Sequence, residues 1–229
     1  MDDVSSSVLS LFPTTVLRFD VAKHAMLRDE LIACVLELQQ RSLGVQKTNI
    51  GGWHSATDLH LLDNPTILQL TQAFRLAMSQ WADQFFVLSR MPDPKGWQLE
   101  MWANINRFGH RNRAHDHFRS GIVASGFYYL QCGGENVGGE TVFINQQSRP
   151  LFIESETPLK CSRLSITPVD GQGYVFPSWQ GHEVQPYRGE LPRITMAFNA
   201  GHPDLPLTRY GDKVRREKWR KAWRKLFTD

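Results

Sequence analysis

Residues 113–131 read RAHDHFRSGIVASGFYYLQ. His115, Asp116 and His117 directly precede a run of apolar and aromatic residues that is typical of a buried β-strand. Because residues i and i+2 of an extended chain face the same side, His115 and His117 are predicted to share a face and Asp116 to point away. Two imidazoles spaced in this way can occupy adjacent positions around one metal ion.

A third histidine, His182, lies in PSWQGHEVQPY and begins another predicted strand after a glycine-containing turn. Three protein ligands on one face leave the remaining metal positions open to water, substrate or oxygen, which is typical of catalytic metal sites. An isolated histidine is more often a surface or satisfied core residue, and an H-x-H pair alone is weak evidence of a metal site. The order of the motifs that follow it favours the metal site.

The chain from about residue 96 onward consists of short apolar segments separated by glycine, proline and asparagine clusters. This spacing, about ten residues per segment, indicates an antiparallel β-sandwich or barrel. Before it, a β-branched stretch at 11–21 predicts a strand, and residues 22–42 and 64–86 have apolar side chains at helical spacing. Asn64 is the predicted N-cap of the second helix.

We therefore predict a single domain, mainly β with flanking helices. Residues 11–95 supply an N-terminal strand and supporting helices that pack on the larger sheet. Residues 96–202 form a jelly-roll core, that is, a double-stranded β-helix. Residues 203–229 form a basic amphipathic C-terminal helix.

The composition is that of a soluble globular protein, with 41% hydrophobic and 21% charged residues in a chain of 229. No apolar run approaches the ~20 residues needed to span a membrane. Cys34, Cys132 and Cys161 are few and far apart, which excludes a disulfide framework and a cysteine-type zinc site. The N-terminus is acidic and lacks a secretory pattern, so we predict a cytoplasmic protein.

The basic residues are concentrated in the C-terminal tail, KVRREKWRKAWRKLFTD. This tail holds eight of the 26 Lys and Arg residues and only two of the 23 acidic ones, which leaves 18 basic and 21 acidic residues in 1–212. Trp219, Trp223 and Phe227 recur every four residues, as on an amphipathic helix. The tail is predicted to dock on the protein's own body. The alternatives are a homodimer contact, or capture of nucleic acid or an anionic membrane.

The order of motifs over residues 97–200 resembles that of the Fe(II)- and 2-oxoglutarate-dependent dioxygenases, especially the prolyl-hydroxylase-like branch and its bacterial and phage relatives. GGET at 138–141 and HEVQP at 182–186 match common wording of that family. The resemblance implies that His115 and His182 are metal ligands. It also implies Fe(II) as cofactor, 2-oxoglutarate and O2 as co-substrates, and hydroxylation of an unidentified substrate.

The sequence departs from the family at the position of the carboxylate ligand, which is occupied by His117. Asp116 is one residue early and has the wrong strand parity. We therefore predict a metal site of three histidines, His115, His117 and His182, which suits iron but also zinc, nickel or copper. A bulge between His115 and His117 that turns Asp116 inward remains an alternative.

The resemblance also implies a place for 2-oxoglutarate. Arg193 and Thr195, in LPRITMAFN, fall where the family binds the far carboxylate of this co-substrate, and an Arg fork fits a carboxylate bidentately. Tyr129 falls where the family has a tyrosine that donates to the same carboxylate. The apolar wall candidates, each equally explained as plain core, are Phe127, Leu130, Val142 and Phe176.

Two readings compete with an oxygenase. One is a three-histidine cupin-type metal protein that does not use 2-oxoglutarate, and the other is a binding module without catalysis. A cation at Arg193 that faces the pocket favours the oxygenase, because a metal protein without a keto-acid has no use for it.

Overall fold

The computed structural model describes residues 13–85, 93, 96–119, 121–145 and 163–203. The helices are α1 His24–Arg41 and α2 Pro65–Phe85, with a 3-10 turn at Leu59–Leu61 between them. The strands are β1 Leu17–Asp20, β2 Asn49–Ile50, β3 Trp53–His54, β4 Gln98–Asn106, β5 Arg111–His115, β6 Ala124–Gln131, β7 Thr141–Ile144, β8 Arg163–Ile166, β9 Gln172–Pro177, β10 His182–Val184 and β11 Arg193–Gly201.

The strands form two antiparallel sheets. The larger has the order β1-β9-β6-β11-β4-β3, and the smaller has the order β2-β5-β10-β7-β8. Aromatic side chains of the two sheets meet between them: the rings of Phe143 on β7 and Phe176 on β9 lie 5.1 Å apart. The prediction of a mainly β fold with a few helices is confirmed.

The two faces of the larger sheet have different partners, as strand β11 illustrates. Ile194, Met196 and Phe198 point to one face and belong to the main hydrophobic core under the helices. Arg193 and Thr195 alternate with them and point between the two sheets, where they line a cavity. The period-two alternation of a strand therefore separates a stabilising face from a functional face.

The two predicted helices are confirmed, and both pack on the outer face of the larger sheet. The Asn64 side chain accepts hydrogen bonds from the backbone N–H groups of Thr66 and Ile67, at 2.9 and 3.0 Å, so it caps α2 as predicted. On α1 the buried residues are Leu27, Leu31 and Val35, whereas Met26 is 78% exposed.

The two ends of the chain were predicted to form a strand and a helix. The N-terminal strand is shorter than predicted, since β1 begins at Leu17. Residues 204–229 of the predicted C-terminal helix lie outside the described residues. Among the described residues, no helix has both the length and the apolar character that a membrane span requires.

Replacing Phe74 on α2 with Ala should lower the free energy of unfolding by about 3–5 kcal/mol. The Phe74 ring is fully buried, is stacked 4.5 Å from Phe198 and meets Phe19 and Tyr128 edge-on. Leu76→Ala is the matched control on the same helix, because Leu76 is 61% exposed. Urea denaturation of both variants measures the difference, and equal losses would contradict the packing described here.

Candidate active site

A cavity of about 350 Å³ lies between the two sheets. The larger sheet contributes side chains of β3, β4, β6, β9 and β11, and the smaller sheet contributes those of β5, β7 and β10. His115, His117, His182, Arg193 and Thr195 all line this cavity. The structure thus brings five of the six predicted site residues to one space, although they are up to 80 positions apart in sequence.

A β-bulge in β5 aims His115 into the cavity. His182 on β10 pairs with His115, but Val184, two residues on, pairs with Asn112, three residues back, so β5 carries one extra residue. As a result Asn112 and His115 both line the cavity although they are three residues apart. The bulge that we considered between His115 and His117 lies before His115 instead.

Only the first histidine of the H-x-H motif lies in a strand, as the last residue of β5. His117 lies beyond the strand, and its backbone N–H donates to the carbonyl oxygen of Ser178 at 2.8 Å. Asp116 is exposed, and its carboxylate accepts the backbone N–H of Phe118 at 2.9 Å. Asp116 is not part of the three-histidine cluster. The two imidazoles therefore converge through a bent chain and not through strand parity.

The ligand atoms of the three histidines lie within 4.8 Å of one another. The Nδ1 atoms of His115 and His182 lie 2.7 and 3.0 Å from the carbonyl oxygens of Arg113 and Gln180. A carbonyl only accepts, so both Nδ1 atoms carry hydrogen and both Nε2 atoms carry lone pairs.

The Nε2 atoms of His117 and His182 are 3.4 Å apart. Two nitrogens held about 2.0–2.1 Å from one tetrahedral cation have nearly this separation. The donor set and its spacing therefore fit a metal ion, and the cluster fits an iron site.

Burial keeps the three imidazoles neutral. It lowers the pKa of His182 to about 3, with a further contribution from neighbouring His115. Burial also lowers the pKa of His117 well below its usual value, and His182 and His115 lower it further. The pKa of His115 is lowered by burial as well. At neutral pH all three rings are ready to coordinate a cation without first losing a proton.

Arg193 is a buried cation without a counter-ion among the described residues. Its side chain is 1% exposed, and its guanidinium lies 5.3 Å from the centre of the Tyr129 ring. No carboxylate of the described residues forms a salt bridge with it, and its Nε atom has no hydrogen-bond partner among them. An unpaired buried charge is costly, so this position calls for an anion.

Gly139, from the GGET motif, makes room for Arg193. A methyl group at Gly139 would lie 2.6 Å from Cδ of Arg193, and the backbone φ of +76° is strained for other residues. The GGET motif, which matches common wording of the oxygenase family, thus has a packing role beside the guanidinium.

We expect Gly139→Ala to weaken 2-oxoglutarate binding about tenfold by displacing Arg193, since overpacking costs about 1–3 kcal/mol. Gly109→Ala separates this contact from backbone strain, because Gly109 has φ +81° and open space around it. Both variants should lose stability, but only the first should lose co-substrate affinity in a calorimetric titration. Equal affinities would rule out the proposed steric role.

Tyr129 is placed differently from the other predicted residues. It is fully buried, and its hydroxyl donates to Oγ1 of Thr141 at 2.9 Å. Burial raises its pKa, against the opposing effect of Arg193. Thr141 lines the cavity, whereas Tyr129 lies behind it and supports Thr141 and Arg193. Its predicted contact with the co-substrate remains a prediction.

Sequence reasoning missed several cavity residues. Thr141, Trp102 and His54 line the cavity, and only Thr141, in the GGET motif, carried a usable signal. Of the apolar wall candidates, Phe127 and Phe176 line the cavity. Leu130 belongs to the core under the helices, and Val142 is not among the lining residues.

Solved structures with a similar fold include prolyl hydroxylases and an epimerase. They include a prolyl-4-hydroxylase from Pseudomonas putida (17% identity, TM-score 0.60, 82% of this chain and 92% of that chain). A prolyl hydroxylase from Trichoplax adhaerens, in complex with a hypoxia inducible factor oxygen degradation domain peptide fragment, has 15% identity and a TM-score of 0.60 over 82% of this chain and 84% of that chain. The epimerase SnoN, in complex with Fe3+, alpha-ketoglutarate and nogalamycin RO, has 12% identity and a TM-score of 0.57 over 82% and 78%. These likenesses show that the chain shares the fold of these proteins.

Residues 100–199 match the family described as "Putative 2OG-Fe(II) oxygenase". This segment, less than half of the chain, contains every predicted site residue. The predicted enzyme class, Fe(II) and 2-oxoglutarate are thereby confirmed. No curated protein matches the chain.

Proposed function

We propose that this protein hydroxylates its substrate with 2-oxoglutarate and O2 at a metal held by His115, His117 and His182. Arg193 and Thr195 bind the far carboxylate of 2-oxoglutarate, and Tyr129 supports them from behind. The two sheets around this site form a double-stranded β-helix. When bound, Fe(II) and 2-oxoglutarate supply the oxidising power, and the protein supplies position and a dry environment.

The observation that carries this proposal is the pairing of two features in one cavity. A cluster of three neutral imidazoles is suited to a divalent cation, and a buried guanidinium without a salt bridge to any described residue is suited to a carboxylate. A cupin-type metal protein accounts for the first feature only. It leaves Arg193, with 1% exposure and no carboxylate of the described part of the chain paired with it, unexplained.

The residues of the chain have separate tasks in this proposal. The backbone carbonyls of Arg113 and Gln180 hold the rings of His115 and His182 in the tautomer that presents Nε2. Arg193 fixes the orientation of 2-oxoglutarate relative to the metal. Phe127 and Phe176 make the cavity apolar, which limits access of water.

The proposal is tested with the purified full-length protein, Fe(II), 2-oxoglutarate and O2. Oxidative decarboxylation of 2-oxoglutarate should give one succinate and one CO2 for each O2 consumed, slowly without substrate and faster with it. Loss of succinate formation on chelation of the metal is the expected control result. O2 consumption without succinate would favour the cupin-type alternative.

The C-terminal tail at 213–229 is proposed to dock on the protein's own body through Trp219, Trp223 and Phe227. The alternative, a homodimer contact, predicts instead that removal of the tail changes the molecular mass in solution. Light scattering of full-length and tail-deleted protein distinguishes the two.

A further inference from the structure

The cavity has two regions of opposite hydrogen-bonding character. Arg193 and Thr195 offer N–H and O–H donors at one end, which suit a dicarboxylate. Along the wall made by β3 and β4, His54, Asn104 and Glu100 offer acceptor atoms instead. At neutral pH 2-oxoglutarate has only acceptor oxygens. It therefore cannot pair with these three acceptors.

His54 presents a fixed lone pair to the cavity. Its ring lies flat on Trp102, with centroids 5.5 Å apart and planes 7° apart. Its Nδ1 lies 2.6 Å from the carbonyl oxygen of Ser55 and must donate to it, which leaves Nε2 as the acceptor. Burial lowers the pKa of His54, so the ring is neutral. His54 is 7% exposed and is not part of the three-histidine cluster.

Glu100 is held in place by a chain of hydrogen bonds. Its Oε2 accepts from Arg119 and, at 3.3 Å, from Nδ2 of Asn199. The amide oxygen of Asn199 in turn accepts the hydroxyl of Ser125 at 2.7 Å, and both of these residues are buried. The second carboxylate oxygen, Oε1, receives no hydrogen bond from the described residues. Glu100 therefore has a supported position and a free acceptor.

Asn104 lies between these two acceptors. It pairs in register with His54 on β3 and is four residues from Glu100 on the same face of β4. Its Oδ1 atom is shielded from solvent and has no hydrogen-bond partner among the described residues. Three acceptors thus follow one wall of the cavity.

We propose that His54, Asn104 and Glu100 form the subsite of the primary substrate, and that this substrate presents N–H or O–H donors to them. Amines, amides and alcohols meet this requirement, whereas hydrocarbons and ionised carboxylic acids leave the acceptors unpaired. The inference rests on the proposed function in assigning the Arg193 end of the cavity to 2-oxoglutarate.

The test uses three small molecules of nearly equal shape: butanamide, pentan-2-ol and pentan-2-one. The first has N–H donors, the second an O–H donor and the third none. Dissociation constants are measured by saturation-transfer NMR on the full-length protein loaded with Zn(II) and 2-oxoglutarate. At least one donor molecule should bind about fivefold more tightly than the ketone, the factor expected for one net hydrogen bond. Tighter binding of butanamide would show that the subsite prefers an N–H donor, and tighter binding of pentan-2-ol would show that it prefers an O–H donor.

Two variants test whether His54 and Glu100 cause the preference for donor molecules. His54→Phe keeps a flat ring on Trp102 but removes Nε2, and Glu100→Gln removes the charge and one acceptor. Each should reduce the preference for the donor molecule about fivefold. Glu37→Gln is the control, because Glu37 forms a similar ion pair with Arg41 on the exposed side of α1. Thermal unfolding of each variant establishes that it is folded.

Equal binding of the three molecules, or binding of none of them, contradicts the subsite. So does a preference that survives both cavity variants. Decarboxylation of 2-oxoglutarate is measured on the same Fe(II)-loaded protein. Decarboxylation without a donor preference refutes the subsite alone, and a donor preference without decarboxylation refutes the proposed function alone.

Discussion

Replacing Arg193 with Met should weaken 2-oxoglutarate binding by at least about 30-fold while metal binding stays unchanged. Removal of one partner from a buried, hydrogen-bonded charge pair costs about 2–5 kcal/mol, and each 1.4 kcal/mol is a factor of ten in affinity. The metal should be retained because the imidazole cluster does not include Arg193. Calorimetric titration of the metal-loaded variant with 2-oxoglutarate measures the loss.

In the protein without co-substrate, Arg193→Met is not expected to be harmful, because the property that changes there is the stability of the fold. Arg193 is 1% exposed and has no anion beside it among the described residues, so its charge opposes folding until an anion binds. Arg193→Met should therefore leave the free energy of unfolding unchanged or raise it. Arg193→Lys is the companion variant, because it keeps the charge but loses the planar fork and should bind 2-oxoglutarate with intermediate affinity. A destabilised Met variant with normal 2-oxoglutarate affinity would make Arg193 a structural residue.

Replacing His182 with Ala should lower metal affinity by more than about 100-fold. Loss of the outer partners that orient metal ligands already costs 10–100-fold, and a direct ligand contributes more. His182 is 6% exposed, and the centre of its ring lies 4.4 Å from that of His115. Among the described residues, the cluster contains only His115 and His117 besides His182, so no other side chain replaces it. Anaerobic titration with Fe(II) measures the affinity. His60→Ala, outside the cavity, should leave it unchanged.

Two further variants test whether Asp116 or His117 is the metal ligand. Asp116 is exposed and its carboxylate accepts a backbone N–H, so Asp116→Asn should keep the metal affinity. His117→Gln should reduce it as His182→Ala does. The reverse outcome would show that the carboxylate replaces the second imidazole as ligand.

Much of the site could be predicted because its parts depend on local rules. Strand alternation places Arg193 and Thr195 on one face of β11, and the side chain of Asn64 fixes the start of α2. The convergence of His115 and His117 was expected for the wrong reason. Strand parity does not extend beyond β5, and a bulge paired across to β10 sets their direction.

The remainder depends on pairings between distant segments. His54 enters the cavity because the two-residue strand β3 pairs with β4, about fifty positions later. Nothing near His54 in the sequence signals this contact. Tyr129 has the predicted strand and face, yet Thr141 comes between it and the cavity, which only the packing of β6 against β7 determines.

We propose that three imidazoles and one guanidinium hold a metal and a dicarboxylate side by side. Anaerobic addition of Fe(II) and then 2-oxoglutarate to the metal-free protein tests this arrangement, with the visible charge-transfer band of the chelated iron as the signal. The band should appear in the native protein, be absent in His182→Ala for lack of iron, and be absent in Arg193→Met at 2-oxoglutarate concentrations that saturate the native protein. A band of normal strength and affinity in either variant would contradict it.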